Sequence, residues 1–178
     1  MSKIFITSDL HLGHKNLIEN VRKMSVEEHD TLIIDNWNKV VTKRDTVYVL
    51  GDIVMEKHNI LKNYIPKLNG TIVVSPGNHC TKRVCQEYHN LGITVVGSLE
   101  YKDFILTHIP IHEACLAEYR GNIHGHIHMP GLLNNECIDN PKYYNVNTEL
   151  HNYTPVEFNK ILEYYDRIKE CRTIQTNS

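Results

Sequence analysis

The chain has 178 residues, of which 41% are hydrophobic and 22% charged, and its 19 Lys and Arg against 21 Asp and Glu give a formal charge of −2. This composition excludes a collagen-like or wholly disordered chain, and no apolar run approaches the roughly 18 residues of a membrane span. The slightly acidic balance also argues against tight binding of duplex nucleic acid through phosphate contacts.

Strand-like and helix-like segments alternate along the chain. Segments rich in Val, Ile, Thr and Tyr predict strands at 3–8, 46–50, 71–75, 93–97, 103–108, 122–128 and 143–146. A capping box of Ser25 and Glu28 predicts a helix over 26–41, and shorter helices are predicted over 58–65 and 81–89. A last helix is predicted over 156–170, with Pro155 near its start.

This alternation predicts a single α/β domain over residues 1–171, followed by a polar tail over 172–178. The later strands follow one another without long helices, so a mixed or partly antiparallel sheet is expected there. Five cysteines without a CxxC pair, and an N-terminus without the apolar core of a signal peptide, predict reduced thiols and a cytoplasmic protein.

Five short polar motifs each follow a predicted strand. They are Asp9-Leu10-His11, Gly51-Asp52, Gly77-Asn78-His79, Thr107-His108 and Gly125-His126-Ile127-His128. Ligands of α/β sheets bind outside the carboxyl ends of the strands. A single motif of this kind occurs by chance in most proteins, whereas five in succession at strand ends predict one shared site.

The motifs supply seven candidate metal ligands, which are carboxylates, one amide and imidazoles: Asp9, His11, Asp52, Asn78, His108, His126 and His128. Residues i and i+2 of an extended chain point the same way, so Asp9 and His11 are expected to face one ion, and likewise the two histidines of Gly-His-x-His. Without a thiolate, the set suits two divalent ions, Mn²⁺ before Fe, Ni or Zn²⁺. Dinuclear sites of this type activate water and bind phosphate oxygens.

In this order the motifs resemble the run D-x-H, G-D, G-N-H-[D/E], H and G-H-x-H of the calcineurin-like metallophosphoesterase superfamily. The match extends from Asp9 to His128, and the openings SDLHLGHKNLI and YVLGD look like those of small stand-alone phosphohydrolases of bacteria and their phages. The resemblance implies the metallophosphatase fold, a four-layer αββα sandwich of two mixed β-sheets with the metals at one edge.

The resemblance also implies a role for each site residue. One metal would be bound by Asp9, His11 and His128, the other by Asn78, His108 and His126, and Asp52 would bridge the two. His79 would act as general acid beside the phosphate, and a metal-activated hydroxide would be the nucleophile. The chain departs from the family at Cys80, where an acidic residue would orient the catalytic imidazole.

Substrate contacts are expected from His14, which follows His11 closely behind Gly13, and from Asn78 and Arg120. The remaining histidines are expected to lie outside the site, and four of them are expected to face solvent: His29, His58, His89 and His151.

The leading expectation for function is metal-dependent hydrolysis of phosphodiesters such as nucleotide or cyclic nucleotide esters, because the spacing of the motifs leaves little room for a cap over the site. Two alternatives remain open, a phosphomonoesterase acting on nucleotides or phosphoproteins and a non-catalytic protein-binding scaffold of the same fold. The expected partner is a small phosphoester without membrane contact. Nucleic acid stays open as a partner although the charge does not indicate it, and no oligomeric state is predicted.

Overall fold

The computed structural model describes residues 1–55, 58–128 and 140–176, with backbone alone for residues 58 and 170–176. The strands are β1 (Ile4–Thr7), β2 (Thr46–Leu50), β3 (Thr71–Ser75), β4 (Thr94–Val95), β5 (Leu99–Tyr101), β6 (Phe104–Thr107), β7 (Gly121–His124), β8 (Tyr143–Asn145) and β9 (Val156–Glu157). The α-helices are α1 (Lys15–Leu17), α2 (Val26–Val40), α3 (Leu61–Tyr64), α4 (Lys82–Asn90) and α5 (Phe158–Thr176). A π-helix spans Ile18–Arg22, and 3-10 turns occur at His58–Ile60, Ile65–Lys67, Glu113–Leu116 and Thr148–His151.

The strands form two mixed sheets. In the first sheet the order is β4-β3-β2-β1-β9, where the first four strands are parallel and β9 is antiparallel to β1. In the second sheet the order is β5-β6-β7-β8, where β5 is antiparallel to β6 and the others are parallel. The predicted α/β sandwich of two mixed sheets is therefore confirmed, as is the antiparallel pairing expected among the later strands.

Each face of the first sheet supports a separate hydrophobic core. One face packs against α2 and α4 and buries Val49, Trp37 and Tyr88, among others. The opposite face, through Ile6 and Leu50, meets the second sheet and the start of α5. Neighbouring residues of β1 contribute to different cores because successive side chains of a strand point to opposite faces.

The outer face of the second sheet is covered by an irregular segment, residues 109–120. The Ile111 N–H donates to Asn122 Oδ1 at 3.0 Å, and the Tyr143 hydroxyl donates to the Ile111 carbonyl at 2.8 Å. This segment contains the 3-10 turn Glu113–Leu116 instead of a long helix.

Most predicted elements are confirmed, but several of their boundaries differ. The capping box at Ser25 forms as predicted and starts α2. The first two residues of the predicted last helix instead form β9, because they pair with Phe5 and Ile6 at the edge of the first sheet. Helix α5 runs to Thr176, into the segment predicted as a tail, of which residues 177–178 lie outside the described residues. The domain boundary at residue 171 stays a prediction.

No helix within 1–55, 58–128 and 140–176 is long and apolar enough to cross a bilayer. The thiols of Cys80, Cys85 and Cys115 are free, and the side chains of the other two cysteines lie outside the described set.

Candidate metal centre

The loops after β1 and β2 run side by side beyond the ends of their strands. The Asp9 N–H donates to the Gly51 carbonyl at 3.2 Å, and the His11 N–H donates to the Asp52 carbonyl at 2.9 Å. These bonds continue the parallel pairing of the two strands for several residues. The first two predicted motifs are therefore joined through their backbones.

The motifs that follow β3, β6 and β7 reach the same place. The His79 N–H donates to Asp52 Oδ1 at 3.2 Å, and the His126 N–H donates to Asp9 Oδ2 at 2.8 Å. The Gly125 N–H donates to the His108 carbonyl at 2.9 Å, which links the loops after β6 and β7. All five strand-end motifs thus converge, and they do so across the junction of the two sheets.

Two groups of side chains have the spacing of metal ligands. Asp9, His11 and His128 each offer an atom within 4.8 Å of the others, and Asp9, Asp52 and His108 form a second such group. Asp9 Oδ1 lies 3.7 Å from both His11 Nε2 and His128 Nε2, and Asp52 Oδ2 lies 3.4 Å from His108 Nε2. Asp9 is common to both groups and therefore lies at their centre.

The candidate ligand atoms of the two groups suit a cation because they face one another. Asp9 Oδ1 is buried and has no hydrogen-bond partner among the described residues. The Nδ1 of His108 lies 2.8 Å from the Leu50 carbonyl, so that nitrogen carries the proton and donates. Its Nε2 lies 2.8 Å from the side-chain amide of Asn78 and 3.4 Å from Asp52 Oδ2. Nitrogen and oxygen atoms gathered in this way are ligands that divalent transition-metal ions accept.

The ligands converge through left-handed turns instead of the expected extended chain. The φ angle is +57° at Asp9, +50° at His11, +52° at Asp52 and +67° at His126. The prediction that alternate residues of extended strands present these side chains is therefore wrong, and β7 ends at His124 instead of continuing to residue 128. Left-handed backbone costs about 1 kcal/mol at each non-glycine residue and concentrates at functional sites.

Two glycines leave room for the carboxylates. A Cβ at Gly125 would lie 2.5 Å from Asp9 Oδ2, and a Cβ at Gly77 would collide with Asp52 Oδ1. Both glycines belong to motifs predicted from the sequence. Their absence of a side chain lets the loops after β3 and β7 close over the two acids.

Burial and charge set the protonation of the site. Burial, with the nearby positive charge of Arg22, lowers the pKa of His11 to about 2 and so keeps this imidazole neutral and able to bind a metal. Burial also lowers the pKa of His126 and raises the pKa of Asp52, the latter with help from the neighbouring Asp9 charge. The hydrogen bond to Glu149 raises the pKa of His128.

Glu149 and Arg22 are site residues that the sequence does not reveal. Glu149 Oε1 lies 2.9 Å from His128 Nδ1 and also accepts a bond of 2.7 Å from Arg22 Nε. Although burial disfavours its charged form, these two partners hold the pKa of Glu149 below its usual value. A carboxylate on the far nitrogen of a metal-binding histidine fixes the ring and its tautomer. Neither residue lies in a motif, so no local signal identifies them.

His126, Asn78 and His79 border the two groups without joining either. The ring of His126 lies 5.1 Å from that of His108, centroid to centroid, and the ring of His79 lies 6.1 Å from that of His11. Asn78 touches His108 Nε2 directly. The assignment of a second metal to Asn78, His108 and His126, and of the bridge to Asp52, stays a prediction.

Cys80 contacts Asp52 and the first hydrophobic core. Its Sγ lies 3.8 Å from Asp52 Oδ1 and 3.8 Å from the Tyr88 hydroxyl, and the side chain packs against the first core. Burial raises the pKa of its thiol, which favours the neutral form beside the Asp52 carboxylate. The residue at this position therefore contacts the candidate metal ligand Asp52.

The two weaker candidates for substrate contact have different locations. The ring of His14 lies 5.9 Å from that of His11, at the mouth of a cavity of about 240 Å³. Arg120 precedes β7 and so lies at the opposite end of that strand from the site, where it pairs with Asp166 and stacks on Phe104. The expected contact between Arg120 and substrate is therefore wrong.

The other histidines follow the expectation only in part. His89 is exposed, but His29 is fully buried and His151 is half-buried against the Asn145 carbonyl. The prediction that His29 faces solvent is wrong, because its ring contacts Arg22 and Asp30 beneath the site. The side chain of His58 lies outside the described set.

Comparison with known proteins identifies relatives, although no family model matches the chain. The uncharacterized protein MJ1445 of Methanocaldococcus jannaschii is 36% identical over 180 residues, which cover 98% of this chain and 97% of that protein. The Gene 66 protein of Mycobacterium phage L5 is 53% identical over 55 residues, which cover 30% of this chain and 26% of the phage protein.

Among solved structures, a protein of unknown function from Aquifex aeolicus has the same fold, with a TM-score of 0.68 over 92% of this chain and 99% of that one at 24% identity. The nuclease MPE of Pseudomonas putida gives a TM-score of 0.47 over 70% of this chain and 61% of that one at 18% identity, which is too low to bear on fold or activity. Identity of 36% along nearly the whole of both chains shows that this protein belongs to the same family as the Methanocaldococcus jannaschii protein.

Proposed function

We propose that the chain is a metal-dependent phosphoesterase of the calcineurin-like superfamily. The observation that carries this proposal is the pair of ligand groups that share Asp9, built from the five strand-end motifs in the order of that superfamily. When bound there, two divalent cations, Mn²⁺ before Fe, Ni or Zn²⁺, would act as Lewis acids on phosphate oxygens and generate a nucleophile from water at neutral pH.

The chain's own residues would orient the ester and supply a proton. The imidazoles of His11 and His128, with the carboxylate of Asp9, would hold one cation, and Asp52 with His108 would hold the other. His79 borders both groups and takes no part in either, and its imidazole would protonate the departing oxygen, as the resemblance to the superfamily implies. General acid assistance of this kind is worth about 10²–10⁴-fold in rate.

A cavity beside the site supports a diester as substrate. Leu12, Met55 and Ile60 give it an apolar wall, and His14 lies between it and His11. A monoester needs space for its leaving group alone, whereas a diester also needs space for the ester group that stays on phosphorus. A second ester group could extend past His14 into the cavity, and its volume of about 240 Å³ suits one ring better than a large molecule.

The test compares a diester with a monoester. Bis(p-nitrophenyl) phosphate and p-nitrophenyl phosphate would be assayed with Mn²⁺ and after chelation, in wild type, Ile60→Trp and the surface control Val40→Trp. We expect Mn²⁺-dependent turnover of the diester, and a loss in Ile60→Trp that is confined to it. Turnover of the monoester alone would indicate a phosphatase. Absence of both turnover and Mn²⁺ binding would indicate a scaffold.

A further inference from the structure

Arg22 is a fully buried charge that contacts the loop after β1, residues 9–13, which we call the metal-binding loop. It ends the π-helix, and its side chain is 1% exposed. Its Nη2 donates to the Asp9 carbonyl at 2.8 Å, its Nη1 donates to the Leu10 carbonyl at 2.9 Å, and its Nε donates to Glu149 at 2.7 Å. A buried guanidinium is costly unless every donor is satisfied, and here its planar fork meets two backbone oxygens and one carboxylate.

These contacts reach both chain segments that supply the first ligand group. The two carbonyls belong to the left-handed turn that carries Asp9 and His11. Through Glu149, the same guanidinium reaches His128, whose Nδ1 contacts that carboxylate while its Nε2 faces Asp9. We infer that Arg22 is a positioning residue, which assembles the ligand group of Asp9, His11 and His128 before a cation binds.

Arg22 is itself held in place by α2. Its Nη1 contacts the Nε2 of His29, and the Nδ1 of His29 lies 2.8 Å from Asp30 Oδ1. Asp30 in turn accepts bonds from the Gly13 N–H at 3.1 Å and from the Tyr64 hydroxyl at 2.6 Å. The guanidinium is therefore fixed from behind by a buried network that also reaches the far end of the metal-binding loop.

The charge of Arg22 and its positioning role predict opposite changes in Mn²⁺ affinity when the residue is replaced. A fixed positive charge beside the site repels a divalent cation, and removing it would leave Glu149 with His128 as its remaining partner and make that carboxylate more attractive to cations. On charge alone, loss of Arg22 should tighten Mn²⁺ binding. A positioning role predicts that Mn²⁺ binding weakens instead, since the left-handed turn and His128 lose their common support.

The experiment titrates Mn²⁺ into the metal-stripped full chain by calorimetry, and it rests on the proposed metal centre. The variants are Arg22→Met, which removes both the charge and the planar guanidinium, and Arg22→Lys, which keeps the charge but lacks the planar guanidinium. The control is Arg120→Met, which removes an arginine at the opposite end of β7. We expect one Mn²⁺ site to weaken by about 10–100-fold in Arg22→Met and by a smaller factor in Arg22→Lys, with no change in the control.

A second readout separates position from general stability. In Arg22→Ala, millimolar guanidinium should restore part of the Mn²⁺ affinity by occupying the vacated space, and it should not affect Arg120→Met. Unchanged or tighter Mn²⁺ binding in both Arg22→Met and Arg22→Lys, with only a lower melting temperature, would overturn the inference. If the wild-type chain binds no Mn²⁺, the metal centre itself is wrong and the inference falls with it.

Discussion

Replacing Asp9 by Asn should abolish the stabilisation by Mn²⁺, so that the order of stability of wild type and variant differs with and without the metal. In the metal-free protein, Asp9 and Asp52 are buried acids close enough that the charge of the first raises the pKa of the second. Asn has the same shape, and its amide oxygen can still accept the His126 N–H. The metal-free variant should therefore be at least as stable as the metal-free wild type.

With Mn²⁺ present the order should invert. A ligand at 100 times its Kd stabilises the folded state by about 2.7 kcal/mol per site. For a chain of this length, each kcal/mol raises the melting temperature by about 2–4 °C, so one site is worth about 5–11 °C. Because Asp9 belongs to both ligand groups, the variant should lose the shift from both sites, or about 10–20 °C.

The assay is thermal unfolding at fixed pH with EDTA and with excess Mn²⁺. The control is Asp45→Asn, since Asp45 accepts bonds from the Lys3 and Thr42 backbones far from the site. This control should melt at a lower temperature in both conditions and keep the full Mn²⁺ shift. An Asp9→Asn variant that keeps more than half of the wild-type shift would refute the reasoning, because Asp9 would not then be shared between two cations.

Three further substitutions test the surrounding residues. His79→Ala should reduce kcat/KM about 10²–10⁴-fold for a diester with an alkoxide leaving group and far less for a nitrophenyl ester, and equal losses would contradict a general acid. Glu149→Gln should lower the pKa of His128, so that protons compete with Mn²⁺ only at lower pH. Calorimetry across pH should show that the acidic fall in Mn²⁺ affinity moves to lower pH and that the affinity at pH 8 is reduced about 10–100-fold. An unchanged pH dependence would contradict the contact between the two residues. Cys80→Asp would place a second carboxylate beside Asp52 and should lower the melting temperature of the EDTA-treated chain more than Cys80→Ser does; equal melting temperatures would contradict the observed direction of the side chain.

The sequence predicts the location of the site because strand ends are a local property. Each segment alone shows a strand rich in Val, Ile and Thr that ends in a polar motif. These motifs contain Asp9, Asp52, Asn78, His108 and Gly-His-x-His. Parallel pairing then brings those ends together at one edge, as the register of β1 with β2 shows. The capping box that starts α2 is likewise complete within four residues.

The sequence does not predict what depends on contacts between distant segments. Arg22 and Glu149 are 127 residues apart, and nothing near either residue indicates a partner. The left-handed turns at Asp9 and His126 form because Gly51 and Asp9 supply the opposing hydrogen-bond groups, so they follow from the tertiary structure and not from local preference. Arg120 illustrates the converse. Its nearness to a motif in sequence suggested a substrate contact, but it lies at the opposite end of β7 from the site and pairs with Asp166.

The most direct test of a two-cation site is anomalous diffraction from a crystal of the Mn²⁺-loaded chain. The account predicts two peaks at the strand ends on either side of Asp9, one bound by His11 and His128 and the other by Asp52 and His108. Absence of both peaks, or peaks distant from Asp9, would contradict it.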